Sequence, residues 1–216
     1  MKDYKTVARV GLNEIQIQKS RFIGHVAPVS SEEEAIHFIE DIRKKHWNAT
    51  HNVPVYLIGE DYKVQRYSDD GEPSGTAGIP IMEMLKKEGI TNICVVITRY
   101  FGGIKLGTGG LVRAYTESAK STLEAIGIIE KRVFHHLKLS FDYTLHGKLQ
   151  FFCMNHACIL IDDTQFSEHV EMTINIAYGE LDAIVKELIN LTSDNIVLGE
   201  PEICYLTFRD EKLMMG

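Results

Sequence analysis

Between Arg99 and Tyr115 the chain reads RYFGGIKLGTGGLVRAY, with five glycines in the nine positions from Gly102 to Gly110 and the cations Arg99, Lys105 and Arg113 around them. Glycines ahead of a helix leave backbone amides open, and the helix start adds partial positive charge. Neighbouring cations add charge-assisted contacts, so this stretch can hold an anion. The candidate contacts are Arg99, Lys105 and Arg113, the amides around Gly102, Gly103, Gly107, Gly109 and Gly110, and Tyr100 or Phe101 as a ring on which a base stacks. The known nucleotide fingerprints fail letter by letter. Gly102 and Gly107 have the spacing of a P-loop, but Thr108 stands where its lysine belongs, and Gly107-x-Gly109 reaches Val112 where a dinucleotide motif needs glycine. A structural alternative stays open, in which the glycines serve a tight strand-to-helix crossover and the cations face water.

A second constellation is SDDGEPSGTAG, Ser68 to Gly78. Asp69, Asp70 and Glu72, with Ser74 and Thr76, have the oxygen chemistry of a magnesium site, and equally that of a series of Asx and glycine turns. An acidic loop in the same chain as a cationic one suggests that Arg99 or Arg113 bridges to Asp69 or Asp70, the two loops forming one wall of a cleft. In KHWNATHN, His46 and His51 lie five apart and not four, with no cysteine to complete a zinc site. Either histidine has the chemistry of a general base, and either can be a hydrogen-bonded structural residue. No metal and no cofactor is expected. Cys94, Cys153, Cys158 and Cys204 form no CxxC pair and lie in apolar surroundings, so buried reduced thiols are expected.

These loops need a scaffold, and its elements are readable. NEIQIQKSRFIGHVAPV alternates as a strand pair turning near Lys19 to Arg21. SSEEEAIHFIEDIRKKH has a Ser cap, glutamates in its first turn, basic residues in its last, and Ala35, Ile36, Ile39 and Ile42 at helical spacing. VPVYLIGE and KVQRYS form a hairpin, IPIMEMLKKEG a short helix, and NICVVITRY a strand apolar on both faces that suits a central position. GGLVRAYTESAKSTLEAIG is a long helix stopped by Gly127. The first unit reads βββαββαβα. From Val133 a new pattern reads βαββαβ, the ferredoxin-like order. The domains expected are residues 1–132 and 133–216.

With 216 residues the chain fits one large domain or two small ones. Its net charge of −7 is uneven: residues 1–132 hold 18 Lys and Arg against 17 Asp and Glu, the remainder 5 against 13. Any phosphate contact therefore belongs to the first half. No run reaches the roughly 20 apolar residues of a membrane span, and MKDYKTVARV lacks a signal-peptide core, so a cytoplasmic protein is expected.

DDGEPSGTAGIPI, VVITRYFGGIKLGTGGLVRAY and HWNATHN resemble the signature segments of the IMPACT/YigZ family, across nearly the whole first unit. The resemblance implies a first domain with the ribosomal-protein-S5-domain-2-like fold and a second like the ferredoxin-like domains of elongation factor G, an α+β protein overall. It also implies a link to translation, since eukaryotic members act on amino-acid starvation sensing by binding a ribosome-associated regulator, and nucleic-acid binding is the usual proposal for bacterial ones. Asn48 and Val53 depart from the family pattern, which has Asp and Cys there, and so weaken any mechanism needing an acid or thiol at those positions. The reading is a non-enzymatic regulatory protein contacting RNA or a ribosome-associated factor through the glycine loop. The alternative is an enzyme acting on a phosphorylated small molecule or nucleotide cradled by that loop.

Overall fold

In the computed structural model, which describes residues 1–214, the chain is a mixed α/β protein with two sheets and five α-helices among the described residues. It divides into two compact units, residues 1–131 together with the stretch from Thr207, and residues 132–206.

The first unit carries β1 (Tyr4–Val7), β2 (Gly11–Ile17), β3 (Ser20–Pro28), α1 (Glu32–Lys45), β4 (His51–Ile58), β5 (Val64–Tyr67), α2 (Gly78–Lys87), β6 (Ile93–Tyr100) and α3 (Gly107–Ile126), the order expected. Five strands form an antiparallel sheet in the order β2-β3-β6-β4-β5. The β2–β3 turn is the two residues Gln18 and Lys19, both at positive φ (43° and 65°), the backbone of a type I′ turn built without glycine.

The central strand β6 is buried on both faces, and its alternation sorts the unit. Ile93, Val95 and Ile97 pack with Phe22, Val26, Val53 and Val55 under α2 and α3. Cys94 and Val96 pack with Ala27, Ala35, Ile39 and Tyr56 under α1. Continued to the strand's end, the same period puts Arg99 on the α3 face, and Thr98 and Tyr100 on the α1 face. Helix α1 starts at Ser31, whose side chain accepts from the Glu34 amide. Ala35, Ile39 and Ile42 are buried as their spacing requires, but Ile36, expected with them, is exposed, because it lies one residue off the stripe that faces the sheet.

The second unit follows from β7 (Ile128–Phe141) and contains a 3-10 turn at Tyr143–Leu145, α4 (His146–Asn155), β8 (Ile159–Phe166), β9 (Val170–Ala177) and α5 (Leu181–Thr192). It continues with β10 (Val197–Leu198) and β11 (Glu202–Arg209) as far as Leu206; β12 (Lys212–Leu213) belongs to the first unit. The strands run in the order β12-β11-β7-β9-β8, with β1 and β10 also paired to β7. Leu137, Leu139, Met172, Ile174, Leu149, Ile184 and Leu188 form the core of the second unit under α4 and α5. The dividing lines between units fall inside β7 and β11. All four cysteines are free; burial holds the Cys94 thiol well above its usual range and pushes Cys153 up to about 11.

Helix α3 presses closely on β3. A Cβ at Gly24 would lie 1.9 Å from Thr122 Oγ1, whose hydroxyl is buried and donates to the Ser118 carbonyl at 2.7 Å. Gly24→Ala forces helix and sheet apart and should cost about 1–3 kcal/mol, as overpacking does. Urea unfolding of the variant measures it.

Candidate functional site

Arg99, next to last in β6, faces inward, 5% exposed, and its Nη1 donates to Glu72 Oε1 at 2.6 Å. The same carboxylate oxygen accepts from the Tyr115 hydroxyl at 2.7 Å and lies 3.6 Å from His51 Nε2. His51 is directly opposite Arg99 on β4, and its Nδ1 is 2.7 Å from the Asp70 carbonyl, an acceptor, so that nitrogen carries the hydrogen. Burial and then the bond to Glu72 hold the Tyr115 phenol far above its ordinary range. The Arg99 guanidinium carbon lies 5.4 Å from the Phe22 ring centre and 5.5 Å from that of Phe101, a buried cation with two aromatic rings as neighbours. Nη2 reaches Ser20 Oγ at 3.4 Å, while Nε is buried with no hydrogen-bond partner.

The acidic loop holds its own backbone. Asp69 Oδ1 accepts from the amides of Ala77 and Gly78, and Oδ2 from that of Gly75, so Asp69 closes the loop onto the start of α2. Asp70 is left-handed (φ 47°); its Oδ2 accepts from the Asn52 amide at 2.6 Å and Oδ1 lies 3.6 Å from Arg43. Thr76 donates to the Pro73 carbonyl at 2.6 Å, and Ser74 is exposed. One expectation is corrected. The bridge between the loops runs from Arg99 to Glu72, not from Arg99 or Arg113 to Asp69 or Asp70, because alternation along β6 turns Arg99 inward whereas Arg113 is exposed on α3. Both carboxylate oxygens of Asp69 accept from backbone amides, the arrangement of a turn.

The glycine loop divides in two. At Gly102 a Cβ would stand 2.1 Å from the Lys19 carbonyl carbon, so this glycine lets the loop pass the β2–β3 turn, and its amide donates to Ser20 Oγ at 3.2 Å. Gly103, Gly107 and Gly109 are exposed and a Cβ on any of them would meet nothing within 4 Å, although Gly103 and Gly107 are left-handed (φ 85° and 70°). Helix α3 then begins with no side-chain cap and no acid in its first turn. Lys19, Lys45, Lys105 and Arg113 have no ion-pair partner among the described residues.

Behind the loop, on the α1 face, lies a cluster the sequence did not reveal. His46 Nδ1 is 2.9 Å from the Tyr100 hydroxyl, and the His25 and His46 ring centres are 4.9 Å apart. Tyr100 is therefore half-buried and engaged, with Arg21 5.3 Å over its ring. Burial, then the neighbouring His46 and Lys45, hold His25 down at about 4; burial, then Lys45 and Arg21, lower His46. Trp47, the chain's single tryptophan, is 83% exposed beside them.

Residues 18–123 match the Impact N-terminal domain and residues 139–195 match a domain of unknown function, DUF1949. The "IMPACT family member YvyE" of Bacillus subtilis is 45% identical over 203 residues, covering 94% of this chain and 93% of that one. The chain belongs to the IMPACT family. An IMPACT family member of Haemophilus influenzae is 32% identical, with 94% and 99% of the two chains covered. The mouse "Protein IMPACT" is 35% identical over 95 residues, 42% of this chain and 29% of that protein. Among solved structures, the crystal structure of a hypothetical protein is similar over 92% of this chain and 97% of its own, with a TM-score of 0.58 and 28% identity. The glycine loop and the acidic loop both lie inside the Impact N-terminal match.

Glu72→Gln leaves Arg99 buried without its counter-charge and should cost about 3–5 kcal/mol in urea unfolding. Because His25 is neutral in the fold and protonates near pH 6.5 when unfolded, its contribution is lost as pH falls from about 6.5 towards about 4, by roughly 2 kcal/mol. His25→Phe should flatten the pH dependence of unfolding over that window.

Proposed function

We propose that the chain is a translation-linked, non-enzymatic regulatory protein that contacts RNA or a ribosome-associated factor through the start of α3 and the loop before it. The observation that carries the reading is the exposed glycine-rich start of α3, where Gly109 is required neither by packing nor by its backbone conformation. Glycine in the first turn of an exposed helix costs up to about 1 kcal/mol relative to alanine. At Gly109 neither a positive φ nor a neighbour demands glycine, so the gain is access to the amides. Lys105 and Arg113 supply charge there, with Lys19 on the adjoining turn. Arg99, inside the fold, positions Phe101 in this reading and does not itself meet phosphate.

The eukaryotic relatives named Protein IMPACT support a regulatory role. The strand order β11-β7-β9-β8 with α4 and α5 on one face supports a ferredoxin-like second domain, and we take residues 1–132 and 133–216 as the two domains, the first of the ribosomal-protein-S5-domain-2-like class. Among the described residues no helix is long and apolar enough to cross a membrane, and a translation-linked role would place the protein in the cytoplasm.

Two substitutions test the reading. Lys105→Ala should lower the slope of log affinity against log salt by about one for a single-stranded RNA. Gly109→Ala should hold or raise the melting temperature, since it removes a helix glycine, yet weaken RNA binding by blocking the amides. RNA affinity unchanged in both variants would defeat the RNA reading of this surface.

A further inference from the structure

The turn between α1 and β4 displays a bare indole on an unusually well-tied backbone. Ala49 N–H donates to the His46 carbonyl at 3.0 Å, Thr50 N–H donates to the Arg99 carbonyl at 2.9 Å, and Asn52 Nδ2 donates to the His46 carbonyl at 3.2 Å. From the other side, Phe101 N–H donates to Thr50 Oγ1 at 3.0 Å, and the Tyr100 hydroxyl joins His46 Nδ1 and, at 3.4 Å, Asn48 Oδ1. Trp47 sits in the middle of this network and takes no part in it. Its 83% exposure is therefore not the exposure of a fraying loop; the fold fixes the backbone on both sides and leaves the ring in water.

The same network joins the Trp47 turn to Phe101, which is 46% exposed and backed from within by the Arg99 guanidinium. The Phe101 ring thus lies over a buried cation while nearly half of the residue stays open to water. Exposed aromatic surface of this kind is what partner recognition uses, since leaving it in water forgoes the gain of burying it. The charges on the same segments decide the partner. Lys45 precedes the turn, Lys105 follows Phe101, and Lys19 lies against Gly102, and none has an ion-pair partner among the described residues. Rings bordered by uncompensated cations suit an occupant that offers flat faces and negative charge together. An acidic peptide supplies the charge without the faces, and duplex nucleic acid keeps its faces stacked inside.

We propose that Trp47 and Phe101 form a stacking platform for unpaired bases, so that the occupant of this surface is single-stranded nucleic acid. The proposal rests on the RNA reading above and deepens it. Stacking supplies the base contacts while Lys19, Lys45 and Lys105 follow the backbone. Arg99 is a positioning residue here, acting through Phe101.

The full-length protein titrated with a single-stranded oligonucleotide of about 10 residues, the length one small binding face spans, gives a direct readout because Trp47 is the only tryptophan. Its fluorescence should be quenched at low salt. Trp47→Ala should weaken binding about tenfold with an unchanged salt slope, because a lost stack releases no counterions, and Trp47→Phe should recover most of the affinity. Melting temperature should not change, as the side chain has nothing to pack on. If Lys105→Ala alters the slope while Trp47→Ala binds as tightly as the parent with no fluorescence change, the platform is wrong and the RNA reading stands. If no strand binds at low salt, that reading and the platform fall together. A duplex of the same sequence that competes as well as the single strand overturns the assignment to unpaired bases.

Discussion

The first unit is organised around the ion pair between Glu72 and Arg99. Each side chain is about 95% removed from water, and neither would be tolerated there alone. Because they meet, three pieces of chain distant in sequence are fixed together. The loop after β5 brings the carboxylate, the end of β6 the guanidinium, and α3 a tyrosine hydroxyl that completes the oxygen's shell. His51 enters from β4 by lying opposite Arg99 in register. The acidic and cationic loops are thus coupled through a buried contact beneath the surface and not through a salt bridge across it.

This placement separates two tasks within one glycine-rich segment. Gly102 has a geometric task, since the β2–β3 turn passes too close for any side chain. Gly103 and Gly107 have open space around them but a left-handed backbone that itself favours glycine, whereas Gly109 has neither constraint, so its lack of a side chain is a property of the surface. Asp69 shows the converse on the other loop. It has the chemistry of a metal ligand, yet it is held by three amides at the start of a helix that has no other cap.

Much of the scaffold is legible in the sequence because its causes are local. The Ser31 cap, the acidic first turn and basic last turn of α1, and Gly127 after α3 are all decided by residues within a turn of the feature they control. The double burial of β6 is written in its unbroken apolar run. The site is less legible because its causes are distant. Three acids lie within four residues, and nothing in that segment says that Glu72, and not Asp69 or Asp70, meets Arg99; the choice depends on strand register. The same holds for His25 and His46, which are 21 positions apart and become ring neighbours only across the sheet and helix. Trp47 was hidden for another reason. A tryptophan beside a helix end reads equally as a core anchor, and only the fold shows it uncovered.

Arg99 neighbours both a fully buried ring, Phe22, and a half-exposed one, Phe101. An object resting on the outer ring bears on a guanidinium that is also the counter-ion of Glu72. Two rings and a carboxylate thus share one buried guanidinium, so a change at either ring alters the surroundings of the charge that holds Glu72, and with it residues 68–77, in place.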